Sequence, residues 1–183
     1  MKILQTLLPK SQLTRRIVIT SIAYQILLGL LTILFTFVNQ DRVSIERMTS
    51  LFGNWDSRAY IYLSQYGYQL TGDEANFIAF YPLYPFLIRT VNTVIPSPHL
   101  SALSISWVTS IVGHIAFFLY LRDLGFEKER IWRIALLLFL SPIAIFFSIA
   151  YTESLFFAET ALFLYFLHHK KYNFCIICGV FAS

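Results

Sequence analysis

The sequence has few charged residues, since only 13% of its 183 side chains are Asp, Glu, Lys or Arg. Apolar residues make up 57% of the chain and aromatic residues 17%, and the mean hydropathy is positive. A soluble domain of this length could not bury so much apolar surface, because folded domains leave roughly a third of their chain surface in water. The composition therefore excludes a soluble globular domain and predicts an integral membrane protein.

Cysteine is also scarce, and the two residues, Cys175 and Cys178, lie within an apolar run. A zinc or redox site would need further Cys or His ligands nearby, so both cysteines are expected to be small packing residues. The net charge of +4 is small and dispersed, and gives no indication of nucleic-acid binding. A cleavable signal sequence is not indicated, because the first apolar run is longer than a signal h-region and has no small-residue exit.

The apolar runs predict an all-α, polytopic membrane protein. Crossing a hydrocarbon core of about 30 Å takes about 20 residues at 1.5 Å per residue. The predicted elements are TM1 at 17–38, an external loop at 39–98, TM2 at 100–121, TM3 at 134–150, TM4 at 155–167 and the start of TM5 at 172–183. The last run has room for about half a span, so we expect the chain to be an N-terminal fragment.

The positions of the basic residues predict the orientation. With a cytoplasmic N-terminus, ten of the fourteen Lys and Arg residues fall in inner segments and four in outer loops. This asymmetry agrees with the positive-inside rule. The loop around Asp56 and the turn at 151–154 then emerge on the same external side, so that they can contribute to one site. For a prokaryotic protein the membrane would be the plasma membrane.

The predicted external loop at 39–98 contains more charged and polar side chains than a connecting loop needs. Asn54 is a predicted N-cap for a short interfacial helix that runs towards Tyr66 and ends at Gly67. The apolar run at 77–95 is interrupted by prolines, which are tolerated in a first turn and damaging deeper in a helix. These prolines are Pro82 and Pro85. A re-entrant or surface-lying helix that starts at them therefore fits better than a full span.

Asp56 is the leading candidate for a catalytic residue. A carboxylate in the first turn of a helix can simply complement the helix dipole. Its position beside Trp55 and before Arg58, in a loop between a span and a predicted re-entrant segment, favours a functional role. Both interpretations remain open on the local sequence.

Other polar side chains also have two interpretations each. Glu153 follows a tight external turn, where it can cap a helix or belong to a site shared with Asp56. Asp73 and Glu74 could hold a divalent cation only if a turn gathers their carboxylates, and no cofactor is otherwise indicated. The tyrosines of the loop can stack on sugar rings or form an interfacial belt; they are Tyr60, Tyr62, Tyr66, Tyr68, Tyr81 and Tyr84.

His114 and Glu159 fall inside predicted spans, where ionisable groups are costly and by default functional. For His114, next to Gly113, an interhelical hydrogen bond of the neutral ring is expected. Glu159 has no explanation from the sequence. A membrane transporter that uses these two residues is therefore one alternative to an enzyme built on Asp56.

Two separated motifs resemble the PIG-V-like mannosyltransferase family. The first consists of Asn54-Trp55-Asp56, Tyr66-Gly67-Tyr68, and Ala79-Phe80-Tyr81-Pro82-Leu83-Tyr84-Pro85 with Arg89. The second consists of Ser141-Pro142, Phe146-Phe147-Ser148 and Tyr151-Thr152-Glu153-Ser154-Leu155-Phe156. The motifs occur in the family's order and cover most of residues 51–157.

The resemblance implies the GT-C architecture, a multi-span helical membrane protein whose first external loop supplies the catalytic acidic residue. It implies transfer of a hexose, usually mannose, from a polyprenyl-phosphate donor to a lipid-linked or exported acceptor, with inversion. Asp56 would be the general base, and Arg58 or Arg89 would bind the departing phosphate. The residues expected to bind substrate are Trp55, Arg58, Tyr81, Tyr84, Arg89, Tyr151 and Glu153. An inactive fragment or an assembly subunit is the remaining alternative.

Overall fold

The computed structural model describes residues 12–38 and 55–181, and every regular element in these ranges is helical. The α-helices are α1 (Gln12–Val38), α2 (Asp56–Tyr66), α3 (Leu83–Val91), α4 (Pro98–Asp123), α5 (Lys128–Leu140), α6 (Glu153–His168) and α7 (Tyr172–Phe181). Short 3-10 helices lie at Asp73–Ala79 and Pro142–Phe147. The all-α prediction is confirmed for the described residues, whereas the predicted cap Asn54 lies outside them.

Two of these helices are long and apolar enough to cross a membrane, and they correspond to the predicted TM1 and TM2. They are α1, through its segment Gln12–Leu31, and the whole of α4. The start of α4 follows from its sequence: the Ser97 side chain accepts a hydrogen bond from the Leu100 backbone amide, and Pro98 occupies the first turn. A serine cap followed by proline is a strong signal for a helix start.

The predicted continuous segment at 134–150 is two elements in the structure. Helix α5 begins earlier, at Lys128, and ends at Leu140; Ser141 is extended, with φ −65° and ψ 137°. Pro142 then opens the 3-10 helix Pro142–Phe147. The break has a local cause, because proline has no amide hydrogen to donate and disfavours helical geometry in the residue before it.

The closest helix packing is between α4 and α6, and small side chains make it possible. A β-carbon built on Gly113 would lie 2.6 Å from Cδ1 of Phe157 and 3.0 Å from Cα of Ala158. Small residues let helix backbones approach closely within a membrane. Buried small side chains continue along the contact on both helices: Ala102, Ser106, Ser110 and Ala116 on α4, and Ser154, Ala158 and Ala161 on α6.

The segment at 55–97 folds back onto the start of α4. Helix α2 ends at Gly67, whose φ of 72° is easy only for glycine, as predicted. Helix α3 begins directly after Pro82 and carries Pro85 in its first turn, which confirms a helix start at the prolines. Buried side chains of α3 pack between α2 and α4, so this short helix supports the N-terminal ends of both neighbours.

A buried polar cluster joins α1 to α4 near mid-helix. Gln25 donates from Nε2 to Oγ of Ser110 at 3.2 Å and to the carbonyl of Phe147 at 3.4 Å. Nδ1 of His114 lies 2.6 Å from the Ser110 carbonyl, and its ring stacks on Phe139 with centroids 4.6 Å apart. The sequence predicts a hydrogen bond between helices for His114. In the structure, its ring instead bonds within α4, to the carbonyl four residues earlier. Gln25 makes the link between helices instead.

Candidate active site

Asp56 is the first residue of α2 and is exposed to solvent. The preceding Trp55 is 80% exposed and has a φ of 52°. Positive φ is uncommon for a bulky side chain, and such strained residues cluster at functional sites. The negative charge of Asp56 is also favourable at the positive end of the α2 dipole. The carboxylate is thus held at a fixed point and stays accessible.

Glu153 is the first residue of α6, directly after the irregular turn at 148–152. The carboxyl of Glu153 is close enough to Asp56 that the two interact electrostatically. The pKa of Glu153 is raised above its ordinary value, by partial burial first and by the negative charge of Asp56 as a further cause. Two acidic residues separated by 97 positions in the printed sequence therefore begin helices whose adjoining segments are joined by the Ser57–Ala150 hydrogen bond.

Hydrogen bonds from α2 hold the turn beside Asp56. Oγ of Ser57 donates to the carbonyl of Ala150 at 2.7 Å, and the hydroxyls of Tyr60 and Thr152 lie 3.2 Å apart. The Tyr151 hydroxyl lies against the backbone of Asp56. Burial raises the pKa of Tyr151, and a hydrogen bond from that backbone partly opposes the rise. These contacts fix the first turn of α2 to the segment that leads into α6.

Helix α4 supports the same turn from the other side. Oγ of Ser106 donates to the carbonyl of Tyr151 at 3.2 Å, and Nε1 of Trp107 donates to the carbonyl of Ser148 at 3.0 Å. One turn further along, Oγ1 of Thr109 donates to Oγ of Ser154 at 3.1 Å. Buried backbone carbonyls need hydrogen-bond partners within the protein. Ser106 and Trp107 of α4 supply them for Tyr151 and Ser148.

The predicted substrate residues are distributed unevenly around this site. Tyr81 is exposed, as a surface contact requires. Arg58 lies two residues after Asp56, and residues at that spacing do not face each other on a helix, so its side chain starts on the opposite side of α2. Arg89 is exposed in the last turn of α3. Within residues 12–38 and 55–181, neither arginine makes an ion pair.

Tyr84 is not where a sugar-binding role needs it. Its side chain is only 1% exposed, and the hydroxyl bonds to the Ala102 carbonyl at 3.0 Å and to Oγ of Ser106 at 2.8 Å. The ring packs edge-to-face on Tyr60, with centroids 5.2 Å apart. The face of α3 that carries Tyr84 is turned towards α4 and not towards solvent. Tyr84 is therefore a buried packing residue next to the site.

Away from Asp56 and Glu153, the acidic and histidine side chains of the described residues do not form a second candidate site. Asp73 and Glu74 begin the 3-10 helix Asp73–Ala79. In the described ranges, His, Cys, Asp and Glu side chains nowhere gather in threes that could hold a metal ion. Glu159 is half-buried on α6, and no hydrogen bond or ion pair within those ranges connects it to His114.

Several supporting residues of the site were not predicted from the sequence. The signal that could have found some of them is the density of hydroxyl side chains in the first three turns of α4, where an apolar span needs none. Their partners are backbone carbonyls or, for Thr109, the Ser154 hydroxyl, all more than 40 positions away, which no local pattern shows. These residues are Ser57, Ser106, Trp107 and Thr109.

The described residues form a helical fold in which two helices are long and apolar enough to cross a bilayer, and two acidic residues, Asp56 and Glu153, each begin a helix beside one turn. The chain belongs to the PIG-V mannosyltransferase family, since the family model described as Mannosyltransferase (PIG-V) matches residues 3–177. The family predicted from the two motifs is thus confirmed.

A curated relative agrees with the family match. GPI mannosyltransferase 2 of Drosophila melanogaster is 30% identical over 136 residues, which cover 68% of this chain and 28% of the relative. The chain therefore matches less than a third of the length of that relative. No solved structure matches the chain.

Proposed function

We propose that the protein is part of an inverting GT-C-type mannosyltransferase, with Asp56 as its general base. The donor is a polyprenyl-phosphate mannose, and the acceptor is a lipid-linked or exported molecule with a free hydroxyl. Membership of the mannosyltransferase family supports the reaction class. The observation that carries the site is the 2.7 Å hydrogen bond from Ser57 to the Ala150 carbonyl, which joins the start of α2, with Asp56, to the turn that leads to Glu153.

The proposed reaction is a direct displacement at the anomeric carbon. The acceptor oxygen forms a bond to that carbon as the bond to the phosphate oxygen breaks on the opposite face. Asp56 takes the proton from the acceptor hydroxyl, and the electron pair of the broken bond leaves with the polyprenyl phosphate. An ionised carboxylate suits this role, because it accepts the proton and also stabilises positive charge that develops on the sugar ring. Glu153 and Tyr151 are proposed to hold the acceptor.

In-line displacement also sets where the phosphate must be bound. The leaving group departs from the face of the sugar opposite the base, so a cation that binds it does not need to be beside Asp56. Arg58 begins on the other side of α2, and Arg89 is exposed on α3. A guanidinium group can donate two parallel hydrogen bonds to a phosphate. We propose these two arginines as the phosphate ligands, with Trp55 and Tyr81 as aromatic walls.

The dimensions of the α4–α6 pair support a site at one membrane face. Asp123, at the far end of α4, lies 2.7 Å from Arg122 and 3.3 Å from the ring of His169. At 1.5 Å per residue, Asp123 is about 25 Å from Ser106, close to the thickness of a hydrocarbon core. Polar groups thus mark both ends of an apolar helix pair. With the excess of basic residues inside, the Asp56 end is external.

Replacement of Asp56 by asparagine tests the assignment. Asp56→Asn keeps the size of the side chain and removes its ability to accept the proton at neutral pH. We expect mannose transfer from a radiolabelled polyprenyl-phosphate mannose to fall by about a hundredfold or more in membranes that contain the whole protein. The matched control is Glu127→Gln, an equivalent change at an exposed residue before α5, which should leave transfer unchanged. Normal activity in Asp56→Asn, at normal protein abundance, would refute the proposed base.

A further inference from the structure

Tyr84 is completely enclosed although the reaction proposed above has no use for a buried phenol. Its ring fills the space between α2 and α4, and its hydroxyl reaches two groups of α4: the Ala102 carbonyl at 3.0 Å and Oγ of Ser106 at 2.8 Å. A phenylalanine would fill the same space. The hydroxyl is therefore the feature that needs an explanation.

The hydroxyls of Tyr84 and Ser106 form a continuous set of hydrogen bonds. A carbonyl can only accept, so Ser106 donates to the Tyr151 carbonyl at 3.2 Å and Tyr84 donates to the Ala102 carbonyl at 3.0 Å. The two hydroxyl oxygens also lie 2.8 Å apart, where either hydroxyl can be the donor, so one of the two hydrogens is shared. A hydroxyl that accepts a hydrogen bond becomes a better donor itself, and buried chains of this kind strengthen each other. The chain runs from Tyr84 through Ser106 to the Tyr151 backbone.

The carbonyl at the end of this chain belongs to the residue that lies against Asp56. The Tyr151 hydroxyl contacts the Asp56 backbone, and Glu153, two residues on, interacts with the Asp56 carboxylate. Tyr84 also packs against Tyr60, which bonds to Thr152 in the same turn. One buried side chain therefore touches both supports of the turn, one on α2 and one on α4.

We propose that Tyr84 is a positioning residue, whose hydroxyl acts through Ser106 to set the Tyr151–Glu153 backbone at its working distance from Asp56. The inference rests on the proposed function, because it assigns Tyr84 a role in the same transfer reaction. It replaces the role of Tyr84 as a sugar contact. Misplacement of catalytic groups by about 1 Å can cost on the order of a hundredfold in rate.

The test is a double-mutant cycle on transfer kinetics in the whole protein. Tyr84→Phe removes one buried oxygen and keeps the ring, and Ser106→Ala breaks the chain at its middle. We expect each single variant to lower kcat by about tenfold to a hundredfold with little change in KM for a polyprenyl-phosphate mannose. Because both changes interrupt one chain, the double variant should be no slower than Ser106→Ala alone.

The matched control is Ser101→Ala on the same helix. Ser101 is as buried as Ser106, but its hydroxyl donates to the Ile95 carbonyl before α4 and does not reach the turn. This variant should keep the wild-type kcat, and its unfolding midpoint should fall at least as far as that of Tyr84→Phe. A purely structural role of Tyr84 would lower stability without this selective loss of kcat.

The results separate the inference from the function on which it rests. Wild-type kcat in Tyr84→Phe, or losses that simply multiply in the double variant, would overturn the positioning role whatever Asp56→Asn does. A fully active Asp56→Asn overturns the proposed base instead. An inactive Asp56→Asn together with slow, non-additive Tyr84 and Ser106 variants supports both.

Discussion

Replacing Gly113 by alanine tests the close packing that holds α6 against α4. The added methyl carbon would lie 2.6 Å from Cδ1 of Phe157, whereas carbon atoms pack best at about 3.5–4.0 Å. Rotation of the Phe157 ring relieves only part of this contact. The same methyl group also lies 3.0 Å from Cα of Ala158, a backbone atom that moves only if α6 moves. The two helices must therefore separate.

The size of the effect follows from two opposing terms. Adding a methyl group to a well-packed core costs about 1–3 kcal/mol. Alanine is better than glycine inside a helix by about 0.5–1 kcal/mol, which offsets part of that cost. We expect a net loss of about 1–2 kcal/mol in the free energy of unfolding. Transfer activity should fall as well, because a shift of α6 carries Glu153 away from Asp56.

Denaturant unfolding of the purified protein in detergent measures the loss, and Gly29→Ala is the matched control. A β-carbon on Gly29 in α1 meets nothing within 4 Å, so this variant gains helix propensity without a clash. It should be as stable as the wild type or slightly more stable. If Gly113→Ala is as stable as Gly29→Ala, the close approach of α4 and α6 is wrong.

Two further predictions concern the turn between the carboxylates. Glu153 has a pKa above its ordinary value of 4.5, so folding favours its protonated form. Its stabilising contribution is full below about pH 4.5 and is lost as the pH rises through the raised value. Glu153→Gln should therefore be at least as stable as the wild type at neutral pH, with a flatter stability profile above pH 4.5 in thermal unfolding. Ser57→Ala removes the 2.7 Å donor to the Ala150 carbonyl and should cost about 1–2 kcal/mol in denaturant unfolding, because a buried acceptor is left unpaired. Ser64→Ala should cost less, since that hydroxyl bonds a carbonyl of its own helix; equal losses would contradict the role of Ser57.

Local signals in the sequence predicted the ends of elements well. Gly67 ends α2 and the prolines begin α3, because each residue limits the backbone whatever surrounds it. The predicted span 134–150 contains Pro142, and in the structure the helix ends just before this residue. Hydropathy alone does not distinguish a continuous helix from two apolar pieces.

The sequence predicts candidate reactive groups but not the residues that support them. The motifs point to Asp56 and Glu153, and the charge pattern predicts that both lie on one side of the membrane. The burial of Tyr84 could not be read from the sequence, because a tyrosine in an aromatic loop fits a sugar site, a lipid interface and a buried support equally well. Only the fold shows that its hydroxyl bonds to Ser106. The placement of Ser57 beside Ala150 likewise depends on tertiary packing across 93 residues.

Three main-chain carbonyls of the turn before α6 are bound by side chains of other helices. The carbonyls of Ser148, Ala150 and Tyr151 each accept a hydrogen bond from a side chain of another helix. The side chain of Ile149 can therefore be exchanged with little effect on the path of the turn, whereas the distant donors Ser57, Ser106 and Trp107 cannot. Ala150 is the exception within the turn, because its methyl group is buried in the core and a larger side chain has no space there.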